Sequence, residues 1–198
     1  MWLTLLLQGC AEHTPSTEQV TYTDRYGYVE RYHRRVSDYA KEGKYERFTP
    51  EGHRIEEANY RNDTLHGPRV LYYESGDSQI VEYYHMGEFE GPYKTFYPKG
   101  QVNLTGQYRD NAMSGEWKRY YRGGELMEVV TFEKNMENGP FREYYENGNL
   151  KAEGRYLEGD NEHGMLKLYD EEGALVRKMN CDKGICRTLW LAENENAK

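Results

Sequence analysis

Gly91-Pro-Tyr-Lys-Thr-Phe-Tyr-Pro-Lys-Gly100, then Gln101-Val-Asn-Leu-Thr-Gly-Gln-Tyr108, then Arg109-Asp-Asn-Ala-Met-Ser114, is one unit of a pattern that recurs along most of the chain. Glycines fall at 43, 67, 91, 115, 139 and 164, in steps of 24 residues with a last step of 25. A second series falls at 52, 76, 100, 124, 148 and 173. An aromatic series runs Tyr60, Tyr84, Tyr108, Phe132 and Tyr156. Three interlocked series with one period identify a tandem repeat, and self-similarity of this length marks a stacked array.

Each unit reads as a β-hairpin. Its first half is aromatic and extended, and Lys99-Gly100, Gly123-Gly124 and Asn147-Gly148 occupy the turn position. Asn-Gly is a favoured two-residue hairpin turn. A two-residue turn at Lys99-Gly100 sets Tyr97 opposite Val102, Thr95 opposite Leu104 and Tyr93 opposite Gly106. The next units then pair Tyr121 with Leu126, Trp117 with Val130, Tyr145 with Leu150 and Phe141 with Gly154. Alternation places all of these on one face. The other face carries Lys94, Phe96, Lys118, Tyr120, Arg142 and Tyr144. Polar loops are expected to join one hairpin to the next. Recurrent glycine and the lack of caps or a 3.6-residue period exclude helix.

The units Gly115-Glu-Trp-Lys-Arg-Tyr-Tyr121 and Gly139-Pro-Phe-Arg-Glu-Tyr-Tyr-Glu-Asn-Gly148, with His66-Gly67 and His163-Gly164, resemble the MORN-repeat variant family. The resemblance covers residues 43–190. It implies an all-β fold of tandem 24-residue hairpins in an elongated, twisted, single-layer antiparallel sheet. Residues 19–42 read as a degenerate unit with Gly27 at its turn, capping one end. At about 4.8 Å per strand, six hairpins give a body on the order of 60 Å long. Residues 191–198 read as a disordered tail.

Composition narrows the function. Leu, Ile, Val and Phe make up only about 16% of the 198 residues, yet there are 20 tyrosines. A disordered chain is poor in aromatics, so tyrosine supplies the ordering here. The net charge of −8 argues against nucleic acid, whose binding is mostly phosphate neutralisation. It equally disfavours an anionic membrane surface.

The N-terminus differs in kind. Leu7-Gln8-Gly9-Cys10 closes an uncharged apolar run and resembles a bacterial lipobox, although the run is short and has no basic residue before it. The resemblance implies removal of residues 1–9 as a signal segment and lipidation of Cys10, with residues 10–18 as a tether. Ala11 after the cysteine implies the outer membrane, facing the periplasm. The alternative is a buried N-terminal strand. Cys181 and Cys186 flank Asp-Lys-Gly-Ile. They read as a disulfide clamp across a hairpin, the alternative being two free thiols in a cytosolic protein.

No catalytic constellation is visible. The six histidines show no metal-ligand spacing, and no nucleophile elbow, P-loop or dinucleotide fingerprint occurs. Neither enzyme activity, a cofactor nor a metal is expected. Two features point to binding. One is the aromatic face, Tyr93, Tyr97, Trp117, Tyr121, Phe141 and Tyr145, expected to meet a partner protein unless twist folds it into the core. The other is an acidic loop edge that includes Glu88, Glu90, Asp110, Glu137, Glu158 and Asp160, with Glu162 beside them. Bacterial MORN-variant proteins are often labelled antitoxin-like. With an envelope anchor, that implies an immunity protein that sterically blocks a toxic effector. An envelope scaffold and a glycan-binding module are the alternatives.

Overall fold

The computed structural model describes residues 16–192, and all its regular structure is antiparallel strand. Seventeen strands form one sheet that runs in chain order from Thr17–Thr23 to Ile185–Leu191, each strand pairing with the next except at two interruptions. Thr64–Leu65 and Gly67–Tyr72 both pair with Arg54–Arg61 and act as one interrupted strand. Thr64–Leu65 is followed by the same break as Glu88–Phe89, which precedes Gly91–Phe96. The first hairpin runs from Thr17 to Arg35, so Thr17 and Glu18, expected in the tether, are strand, and the unit expected at 19–42 runs on into Lys41–Phe48. The hairpin's turn carries Gly27, whose N–H bonds the Asp24 carbonyl at 3.0 Å. Leu191 is the last strand residue, and residues 193–198 lie outside the described part.

The two kinds of connection are the reverse of those expected. The turn at the second glycine series is a three-residue loop. Tyr121 N–H bonds the Glu125 carbonyl at 2.8 Å, and Gly124 N–H bonds Tyr121 at 3.0 Å. Gly124 has φ +105°, the left-handed position that such a loop assigns to glycine. Most links between repeats, expected as polar loops, are instead tight two-residue turns. Arg109 faces Ala112 across Asp110-Asn111, and Glu133 faces Met136 across Lys134-Asn135. Both residues of each turn have positive φ, the type I′ geometry that matches strand twist.

The longer glycine loop shifts the pairing next to it. Val102 faces Phe96 rather than Tyr97, Leu126 faces Tyr120 rather than Tyr121, and Leu150 faces Tyr144 rather than Tyr145. A bulge one pair further on restores the register, so Tyr93–Gly106, Trp117–Val130 and Phe141–Gly154 pair as read from the sequence.

A second irregularity bends the sheet. Between repeats, Thr105 faces Lys118 but Gln107 faces Ser114, so the later strand spends two extra residues there. The same step recurs at Val130–Phe141 and Phe132–Glu137. The extra residues surround the first glycine series, and Gly115 at φ +70° turns the corner. The tight-turn ends of the strands therefore angle across the rings that follow each glycine. Trp117, Phe141 and Val130 are left 4%, 3% and 4% exposed, which a flat single layer could not achieve. Val130, Phe141, Ala152, Leu166 and Cys181 form the main buried cluster.

Candidate protein-binding faces of the array

The expected aromatic face is divided between interior and turn edge. Trp117 lies between Tyr93, Tyr108 and Phe132, with ring centroids 5.3–6.0 Å apart. Phe141 stacks on Tyr156 at 4.2 Å. These rings pack against the protein's own chain, and a partner has no access to Trp117 or Phe141. Tyr93 is half-buried beside Trp117. Tyr97, Tyr121 and Tyr145 stand at the glycine-turn end, each half-buried. Each hydroxyl donates to a backbone carbonyl one repeat on: Tyr97 to Tyr120 at 2.9 Å, Tyr121 to Tyr144 at 2.8 Å, Tyr145 to Tyr169 at 2.9 Å. Tyr73 starts the ladder on Phe96 at 2.7 Å. A bond of this kind contributes about 1 kcal/mol net, so these tyrosines tie successive hairpins together. The corner in each strand is the physical reason that the contact surface expected here serves internal packing.

Burial is felt by the tyrosine hydroxyls. It raises Tyr45 and Tyr156 well above the ordinary phenol value and pushes Tyr84 up to about 12, with the neighbouring Glu82 adding to it.

One repeat departs from the aromatic interior. The column that holds Tyr45, Tyr93, Trp117 and Phe141 holds Arg69 in the second unit, and the facing small-residue column holds Glu82. Arg69 Nε donates to Glu56 at 2.6 Å and its Nη1 to Glu82 at 2.8 Å. Tyr84 donates its hydroxyl to the same Glu82 oxygen at 3.0 Å. Glu82 is only 5% exposed. Burial opposes the charge on Arg69, but the two carboxylates outweigh it and hold the guanidinium above its ordinary pKa. The sequence reading passed over this network, although aligning the units by their glycines displays an arginine in an aromatic column.

The opposite face is open. Phe96, Tyr120, Tyr144 and Tyr169 follow one another along the array, each partly exposed. Lys94, Lys118, Arg142 and Lys167 form the adjacent row, with the Lys118 and Arg142 side chains 41% and 62% exposed. Successive members are two strands apart, about 10 Å. The face thus presents a periodic aromatic stripe beside a periodic cationic one, within an acidic chain.

Among the expected acidic-edge residues, Glu90 accepts the Asp110 N–H at 2.9 Å, and burial raises the carboxyl of Glu137 above the usual range. Asp110 and Glu158 occupy turn positions with positive φ. Several edge carboxylates therefore shape turns as well as meeting solvent.

Cys181 faces Cys186 across the last hairpin, and their sulfurs are joined at 2.02 Å. Cys10, expected to carry lipid, lies outside the described residues. No group of three His, Cys, Asp or Glu side chains among the described residues is placed to hold a metal ion.

The fold and its faces define a class: a protein of tandem β-hairpin repeats, in which the units from Gly91 onward each add an aromatic and a cationic residue to one surface while the first two hold Glu46 and Val70 in the cationic column. Within that class the chain is a MORN-variant repeat protein, because the family described as MORN repeat variant matches it four times, at residues 41–62, 89–110, 113–134 and 137–158. The unit carrying Arg69 and Glu82 falls between the first two matches. A comparison with curated proteins finds no match to the chain.

Proposed function

We propose that this chain is a non-enzymatic binding protein, lipid-anchored through Cys10 at the periplasmic face of the outer membrane, whose array holds another protein. Within that reading it is an immunity or antitoxin protein that covers the active site of a toxic effector and blocks it sterically. The observation that carries the binding reading is the open stripe Phe96, Tyr120, Tyr144 and Tyr169 beside Lys94, Lys118, Arg142 and Lys167. Aromatic and arginine side chains dominate interface energetics, and the chain covers this stripe only in part, with Lys94 and Arg142 exposed. The anchor and the immunity role rest on the sequence resemblances.

The test is affinity capture of the tagged full chain from detergent-solubilised envelopes, combined with deletion of its gene. Immunity requires a stoichiometric secreted toxic protein in the capture and sensitivity of the deletion strain to it. Unchanged survival against toxin-bearing siblings refutes that role. A second reading, an envelope scaffold that self-associates, is favoured by one observation: the last strand exposes Ile185, Leu189, Trp190 and Leu191 at 73%, 62%, 44% and 56%. A mass that rises with concentration supports the scaffold. Stacking on a sugar, the third reading, would depend on rings of which Trp117 and Phe141 are inside the array.

A further inference from the structure

The repeat lengthens by one residue once, between Gly139 and Gly164. Leu157 N–H bonds the Asn161 carbonyl at 2.9 Å, closing a three-residue loop in place of the two-residue turns at 110–111 and 134–135. The strands it joins, Leu150–Tyr156 and Gly164–Tyr169, pair at Ala152–Leu168 and Glu153–Lys167, with the His163 N–H on the Arg155 carbonyl at 2.8 Å and one further bridge at Tyr156–Glu162. Two equivalent central pairs likewise join Arg54–Arg61 to Gly67–Tyr72 and Ser78–His85 to Gly91–Phe96. A groove of about 440 Å³ lies beside this junction.

Its composition is uneven. Gly154 and Gly164 contribute no side chains, and Pro140 and Met165 supply the exposed apolar lining. Arg142, Arg155 and Lys167 stand around it with His163. The one carboxylate of the lining, Glu153, is occupied by Lys167 at 2.8 Å and the Tyr169 hydroxyl at 3.0 Å, with Arg142 at 3.9 Å. Among the described residues Arg155 has no carboxylate partner. Three permanent cations against one committed carboxylate is a local excess of positive charge in a chain of net charge −8. Arginine forks match carboxylates bidentately, and an apolar floor excludes water from such pairs.

We infer that this groove is the specificity subsite of the open face and takes an acidic segment of the partner protein. An apolar side chain of the segment lies against Pro140 and Met165, while its carboxylates engage Arg142 and Arg155. The assignment rests on the reading that this face holds a protein.

The test uses purified full-length chain, with amide NMR shifts as the readout. Three probes are titrated at about 0.1 M salt: a pentapeptide of four acidic residues around a leucine, its counterpart with four basic residues, and inorganic phosphate. The acidic peptide should give saturable shifts centred on Gly154 and Gly164, and the basic one none. The exposed pair Arg142→Ser/Arg155→Ser should weaken that binding at least tenfold. Arg109→Ser/Lys134→Ser, an equal charge change at the tight turns, should leave it unaltered. Equal weakening by both pairs, or shifts spread along the array, overturns the site. Phosphate reproducing the same saturation overturns the acidic-segment assignment in favour of a small anion. Peptide failure with an effector still captured removes the groove and leaves the binding face. Peptide binding without any captured effector removes immunity and leaves the groove.

Discussion

Replacing Gly106 with alanine drives a methyl group into the indole of Trp117. A Cβ built on Gly106 meets three ring atoms of Trp117 at distances no real contact shows, and Gly106 has an ordinary φ, so the conflict is one of volume. Trp117 cannot retreat, because Tyr93, Tyr108 and Phe132 surround it and it is 4% exposed. Removing a strand glycine gains roughly 0.5–1 kcal/mol of backbone entropy, while overpacking a dense core costs about 1–3 kcal/mol and more when nothing can shift. The expected net loss is about 2 kcal/mol. Trp117→Phe alone loses about 1–2 kcal/mol through the space it leaves. In Gly106→Ala/Trp117→Phe the methyl occupies that space, so the double variant should be at least about 1 kcal/mol more stable than the two losses summed. Urea denaturation followed by far-ultraviolet circular dichroism measures all four proteins. Additivity within about 0.5 kcal/mol would refute the claim that glycine is there to seat the next repeat's ring.

Three further outcomes follow from the interior. Glu82→Ala leaves half-buried Arg69 with one carboxylate and buried Tyr84 without its acceptor, and should destabilise by about 2 kcal/mol. Arg69→Tyr/Glu82→Gly, which copies Tyr93 and Gly106, should recover most of that in thermal melts; no recovery would mean that the network, not the packing, holds this repeat. Tyr121→Phe removes the bond to the Tyr144 carbonyl and should cost about 1 kcal/mol, with faster amide exchange at the neighbouring glycine turn as the check. Burial, with the facing Glu143 adding to it, holds the Glu128 carboxyl above the usual range despite Arg119. A carboxyl with a raised native pKa binds protons more tightly when folded, so its contribution to stability falls as pH rises between the unfolded and native values. Glu128→Gln should therefore raise the melting temperature at pH 7, and the gain should disappear as pH falls through the native pKa. An equal gain at pH 4 would contradict this.

Much of the architecture was legible before any coordinates. The period, the hairpin unit, the all-β class and the pairs Tyr93–Gly106, Trp117–Val130 and Phe141–Gly154 all follow from alternation and the spacing of glycine. The turn types were legible too but were assigned to the wrong connections. Asp110-Asn111 and Lys134-Asn135 carry residues that tolerate positive φ, and that chemistry identifies the tight turns. Arg69 and Glu82 were visible as departures from their columns, though a column shows only that a residue is different, and its partners come from elsewhere in the fold.

The sequence by itself determined the repeat, because a local rule, repeated every 24 residues, needs only neighbouring side chains to act. Which face of the sheet is buried was decided by the tertiary structure alone. Period-two alternation labels two faces and is symmetric between them. The two extra residues at each corner break that symmetry, and they exist only as a mismatch between strands of successive repeats. That mismatch folds Trp117 and Phe141 inward and leaves Tyr120, Tyr144 and their neighbouring cations to the solvent. The groove at Gly154 and Gly164 likewise lies where strands of successive repeats meet, so alternation within one strand does not display it.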